Sequence, residues 1–138
     1  MKREYPQTPL VGVGVIVKHA ERILLVKRAN EPKKGLWSIP GGRVRLGESV
    51  RQAAEREVWE ECQINIRLKD VVSIVDLIDK DDNGSIKYHY VLIDFVADYE
   101  KGELKAASDA LDAKWVTEEM MNDFDIPDIT RKVIKKAF

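Results

Sequence analysis

Cysteine is almost absent: Cys62 stands alone among 138 residues, so no internal disulfide and no cysteine-built zinc site can form. We read it as a buried thiol of a reducing compartment, and the chain as cytoplasmic. Charge of one sign is also missing. Lys plus Arg number 23 against 24 Asp plus Glu, for a net charge of -1. That balance argues against a partner held by long-range charge, whether a nucleic-acid polymer or an anionic membrane. Long apolar runs are absent too. The longest, Leu10 to Val17, falls far short of the ~20 residues of a membrane span. It does not suit a secretory leader either, because Glu4, Pro6 and Pro9 spoil its approach and Lys18-His19 follow it. No repeat, low-complexity tract or linker divides the chain, so residues 1–138 are expected to form one domain.

What is present is alternation of strand and helix signals. Residues 11–17 and 22–28 are short, β-branched and apolar around a polar turn, the pattern of paired strands. Residues 32–47 hold half the glycines and two of the five prolines, which reads as a shaped loop. Ser49 can cap a helix over Val50–Cys62, with Val50, Ala54 and Val58 on one face. Residues 64–78 and 86–97 read as strands, the second covered on both faces, joined through Asp81-Asp82-Asn83-Gly84-Ser85. A short strand is expected over Ala113–Val116, then helical turns near Glu118–Met121 and Ile129–Lys136. The class is α/β with a mixed β-sheet.

Two motif matches fail. Gly12 and Gly14 give G-x-G without the third glycine or following helix of a dinucleotide site. Asp79, Asp81, Asn83 and Gly84 open like a calcium loop, but its twelfth position is Tyr90 where a bidentate Glu is needed.

The helix carries the chemistry. In REVWEE, Glu57, Glu60 and Glu61 lie three and four residues apart and share one face. Like charges at that spacing repel, and carboxylates on a rigid element suit a hard divalent cation such as Mg²⁺ or Mn²⁺. A solvated acidic face is the competing reading of these residues alone.

Over Gly42 to Ile64 the chain reads G-x5-E-x7-R-E-V-x-E-E-x-Q-I. This resembles the box of the Nudix (MutT-type) hydrolases, G-x5-E-x7-R-E-U-x-E-E-x-G-U with U a bulky aliphatic residue. The single departure is Gln63 in the last glycine position. ILLVKR, GLWSIPGG and AKWV also look like the family, so the likeness runs beyond the box.

The resemblance implies a Nudix-type α/β/α sandwich and an Mg²⁺-dependent pyrophosphohydrolase, with Mn²⁺ as an alternative ion. It makes Glu57 and Glu61 the principal metal ligands, with Glu60 supporting them and the carbonyl of Gly41 completing the shell. Glu57, Glu60 and Arg56 would form the catalytic set. Gly42, Glu48 and Arg56 would hold the box together, Arg56 orienting Glu57 and pairing with Glu48. The general base differs among relatives, being the box glutamate at Glu57 or an acid on a later loop. Of Glu103, Asp109 and Asp112, Asp109 falls where an extra metal-binding acid would lie.

Substrate is less marked. Arg28, Trp37, Gly42 and Asp109 are candidates for binding it. Trp37, Tyr88 and Tyr90 are each open to two readings, stacking on a base or packing in the core. His89 reads as a sheet residue and Trp59 as a packing or partly exposed one. Asp79 and Asp81 stand where some subfamilies carry a diagnostic Pro or Tyr, and no SQPWPFPxS string occurs. The favoured substrate is a nucleoside diphosphate linked to a further group, with ADP-ribose leading. A nucleoside triphosphate pyrophosphohydrolase of MutT type is the first rival, and a nucleotide-sensing domain without turnover the second. Family members often pair as homodimers, a point the sequence leaves open.

Overall fold

The computed structural model describes residues 3–31 and 33–137; Lys2 and Pro32 therefore fall outside the described residues. Strands β1 (Leu10–His19), β2 (Arg22–Arg28), β3 (Trp37–Ser38), β4 (Gly41–Arg43), β5 (Asn65–Lys80), β6 (Ile86–Lys101) and β7 (Ala110–Thr117) make one sheet. Its order is β3-β2-β1-β6-β5, with β4 added to β1 and β7 to β2. β1 and β6 run parallel from Leu10↔Tyr90 to Lys18↔Asp98, while the other pairings are antiparallel.

Helices cover both faces, and the period-two alternation of the central strands explains why. Val13, Val15, Val17, Leu24 and Val26 point to one side, where Ala53, Ala54, Val58 and Cys62 of α1 (Val50–Cys62) close a core. Ile16, Ile23 and Leu25 point to the other and meet Val133 and Ile134 of α2 (Asp128–Lys135). The sheet is thus mixed and sandwiched, as expected.

Helix α1 starts where the sequence places it. Ser49 accepts from the Gln52 amide at 3.1 Å and Gln52 returns a bond to the Ser49 amide at 2.9 Å, a reciprocal cap. Its other end explains how Gln63 stands in for glycine. Gln63 takes the left-handed conformation at φ 61° and ψ 29°, the backbone a glycine would adopt. The strain is about 1 kcal/mol. Its side-chain amide partly offsets this by donating to the Trp59 carbonyl at 3.1 Å.

Three expectations need correction. The glycine-rich stretch is not all loop: β3 and β4 form there because Val26↔Ser38 and Val13↔Gly42 pairings recruit them, a tertiary effect that local punctuation hides. The last strand extends to eight residues because it pairs along the whole of β2. The segment near Glu118–Met121 is a 3₁₀ turn over Glu119–Asp123. At the β5–β6 turn, Asp81 Oδ1 accepts from the Asn83 and Ser85 amides, each at 2.9 Å, which closes a hairpin on its own side chain.

Candidate active site

Strand β4 lies against the part of β1 that carries Gly12 and Gly14, and α1 packs over it. Two glycines in β4 make the approach possible. A Cβ on Gly42 would stand 2.5 Å from the Glu57 carboxyl carbon, and one on Gly41 would overlap the Val13 carbonyl. Backbone therefore occupies space that a side chain would take from the carboxylate.

Arg56 organises the acids. Its Nε and Nη2 donate to the two oxygens of Glu48 at 2.6 and 2.9 Å, a bidentate pair. Its Nη1 donates to Glu57 Oε1 at 2.7 Å and to Glu60 Oε2 at 3.2 Å. Nη2 also reaches the Arg43 carbonyl at 3.0 Å, tying α1 to β4. The Arg56 guanidinium holds the Glu48 carboxyl down at about 2.

Glu57 and Glu61 sit deeper. Glu57 is 9% and Glu61 5% exposed. Burial raises the Glu57 carboxyl above its ordinary value, against the pull of Arg56. Burial pushes Glu61 up to about 8, and the charge of Glu57 adds to this while the Gly41 amide, donating at 2.8 Å to Glu61 Oε1, opposes it. Gly41 thus engages the site through its N–H. Glu60 is the outermost of the three, with a third of its side chain exposed and Arg45 at 3.4 Å.

These residues line one end of a cleft of about 640 Å³, a volume suited to a small molecule. Arg28, Gly42 and Asp109 line it as well. Asp109 is exposed, accepts from Asn30 Nδ2 at 2.9 Å and contributes to the field at Glu57 and Glu61. Trp37 does not line the cleft. Its ring packs edge-on against Phe124 at 4.9 Å in the α2-side core, so it is not placed to stack on a bound base. Tyr90 lines the cleft yet is buried with Leu10 and Tyr88, and Tyr88 donates to Glu4 at 3.0 Å.

One residue of the cleft escaped the sequence reading. Asp94, in the middle of β6, is 5% exposed and lines the cleft on its α2 side. The signal was an acid inside an otherwise apolar strand, YVLIDFVA.

Among the described residues, no three Asp, Glu, His or Cys side chains are drawn into a closed metal shell. The donor set still fits a hard cation of the Mg²⁺ kind. Such an ion takes one or two carboxylates and keeps waters or substrate phosphates for its remaining positions. Glu57 and Glu61 supply buried oxygen donors whose mutual repulsion a cation would relieve.

The chain is similar in sequence and fold to known proteins. An ADP-ribose pyrophosphatase of Methanocaldococcus jannaschii is 38% identical over 107 residues, which span 78% of this chain and 61% of that protein. The chain thus covers about three-fifths of that relative's length. The crystal structure of a MutT NUDIX hydrolase from Burkholderia pseudomallei matches with a TM-score of 0.79 at 30% identity, covering 96% of this chain and all of that one. A bifunctional NMN adenylyltransferase/ADP ribose pyrophosphatase from Francisella tularensis, complexed with AMP and an Mn ion, matches with a TM-score of 0.72 at 26% identity over 93% of this chain and 40% of that one. No helix among the described residues is long and apolar enough to cross a membrane. The NUDIX domain model itself matches residues 8–137, and with it the box, the fold and the clustered glutamates place this chain in the Nudix family.

Proposed function

We propose that the chain hydrolyses the pyrophosphate bond of a nucleoside diphosphate linked to a further group, with ADP-ribose the favoured substrate. The observation that carries this is the buried pair Glu57 and Glu61 beneath the bare backbone of Gly41 and Gly42, at one end of a nucleotide-sized cleft. The name of the Methanocaldococcus relative supports the choice of substrate.

Glu57 and Glu61, with Glu60 at the rim, are the residues to hold Mg²⁺ or Mn²⁺. Bound there, the ion would neutralise phosphate oxygens and lower the pKa of water. The protein's own part is placement. Arg56 fixes the rotamer of Glu57 and leaves it little freedom to swing away when a phosphate approaches. Arg28 adds positive charge to the cleft lining, close enough for its field to act on Glu61. Water adds to one phosphorus, the bridging P–O bond breaks, and a carboxylate of the cleft takes the water's proton. Glu57, Glu60 and Asp109 are the candidates for that last role.

The MutT-type reading is favoured by one feature, the cations Lys33, Arg43 and Arg45 along the same cleft, which suit a longer phosphate chain. Product analysis separates the two. ADP-ribose cleavage yields AMP and ribose 5-phosphate, whereas a triphosphate yields a monophosphate and pyrophosphate. We expect metal-dependent AMP release from ADP-ribose, abolished by chelator. Turnover of triphosphates alone would move the assignment to the rival, and no turnover on any class would move it to a sensing domain.

A further inference from the structure

Asp94 has no counterpart to Arg56. Among the described residues it makes no hydrogen bond and no ion pair, although it is 5% exposed. The charge that bears on it most is Lys136, beyond salt-bridge distance. Among the described residues no fully enclosed side-chain oxygen lacks a hydrogen-bond partner, so the Asp94 carboxylate meets solvent through the cleft and is open to a ligand there. Gly14 lies opposite it in the β1–β6 register, and a Cβ on Gly14 would overlap Asp94 Oδ1 and stand 2.8 Å from Ile39 Cδ1. The carboxylate therefore lies across bare backbone on the floor of the cleft. Ile39 packs beside Gly14 there, and Val75, Leu92 and Val133 are further apolar residues of the cleft lining.

The distance to the glutamates is set by the sheet. Gly41, whose amide holds Glu61, pairs with Gly14 from the opposite side to Asp94. Two strand spacings, ~10 Å, separate the two positions. A nucleoside bridges such a gap when its phosphates lie at the glutamates.

We propose that Asp94 is a specificity-determining residue that accepts a hydrogen bond from the exocyclic amino group of a purine base. This deepens the proposed function and rests on it for the placement of the phosphates. An ionised carboxylate only accepts, so it needs an N–H or O–H partner. Apolar walls suit a flat ring, whereas a pentose rimmed with hydroxyls would leave several of them unpaired. One acceptor on an apolar floor matches one amino group.

The test is a binding experiment on the full chain without metal. AMP is compared with purine riboside 5′-monophosphate, which lacks only the amino group, and with ribose 5-phosphate. Wild type is expected to prefer AMP over the des-amino nucleotide by about tenfold. Asp94→Asn, which still accepts, keeps most of that preference. Asp94→Leu erases it and at the same time raises the melting temperature, since an unpartnered charge leaves an apolar site. Asp94→Ser, too short to reach, serves as a second variant should the leucine fail to fold. Equal binding of the two nucleotides to wild type, no binding of either, or a preference that survives in Asp94→Leu would each overturn the proposal. So would a ribose 5-phosphate affinity that falls in Asp94→Leu, which would assign Asp94 to the sugar. ADP-ribose turnover is followed separately. Its absence in wild type sinks the proposed function, while the AMP preference remains readable without it.

Discussion

The two faces of the sheet treat their acids in opposite ways. On the α1 side, Glu48, Glu57 and Glu60 converge on one guanidinium, and Arg56 bonds all three and a backbone carbonyl besides. On the α2 side, Asp94 is as deeply buried as Glu57 and has no such partner. The first arrangement holds carboxylates in fixed places, as groups must be held that meet a cation or a reacting phosphate. The second leaves an oxygen for something that the protein does not itself provide.

Removing an acid from the paired side should have the largest effect. Glu57→Gln is expected to lower kcat about a thousandfold with the fold intact. Near-normal turnover in this variant and in Glu61→Gln would refute the site. Removing the cation is next. Arg56→Met leaves Glu48 and Glu57 uncompensated in a partly buried place and is expected to cost about 3 kcal/mol in chemical denaturation. Lysine should not restore it, because one ammonium cannot reproduce the fork.

Gly42→Ala probes placement without touching a charge. The new methyl would displace the Glu57 carboxylate, so activity is expected to fall by about a hundredfold while stability changes little. A parallel loss of both would show instead that β4 itself had moved.

Acid titration contrasts the two faces directly. Glu48 is depressed from 4.5 to about 2, so its stabilisation is complete above pH 4.5 and is lost as pH falls toward 2. Asp94 is raised from 3.8 to about 6 by burial, so the folded state holds its proton more tightly than the unfolded one. Its effect has the opposite sign: stability declines as pH rises from 3.8 to about 6 and is level above. Denaturation midpoints against pH should show Glu48→Gln lacking the first slope and Asp94→Asn lacking the second. Identical profiles for both variants would erase the contrast. The smallest effect belongs to Gln63→Gly, which relieves left-handed strain but gives up the side-chain bond to Trp59. A gain of about 0.5 kcal/mol with unchanged activity is expected, read from the melting temperature.

Much of the paired side was legible from sequence because its logic is local. Ser49, Gln52 and the four-residue spacing write α1 into the chain, and Glu57, Glu60 and Glu61 follow from helical geometry once α1 exists. Gln63 was legible as a question, and the answer is that it adopts the glycine backbone. What depends on distant parts of the chain was not legible in this way. β3 and β4 arise from pairings with distant strands, so punctuation by glycine and proline hid them. Trp37 beside a glycine-rich loop suggested a stacking ring, yet Phe124, far along the chain, claims it for the core. Asp94 was visible as an acid in an apolar strand, but its lack of a partner depends on which side chains β1 and α2 bring near it, and a single strand does not record that.

The parallel pairing of β1 with β6 has a consequence in time as well as space. Leu10 and Tyr90 are neighbours across eighty positions of sequence, whereas β5 and β6 meet through a tight turn. Chain closure over such a span is slow relative to a hairpin. The β5–β6 hairpin and α1 can therefore form while β1 is still adrift, and in that interval Gly14 is not yet beneath Asp94 and β4 has no strand to join. Recovery of nucleotide binding during refolding should then trail recovery of helical signal.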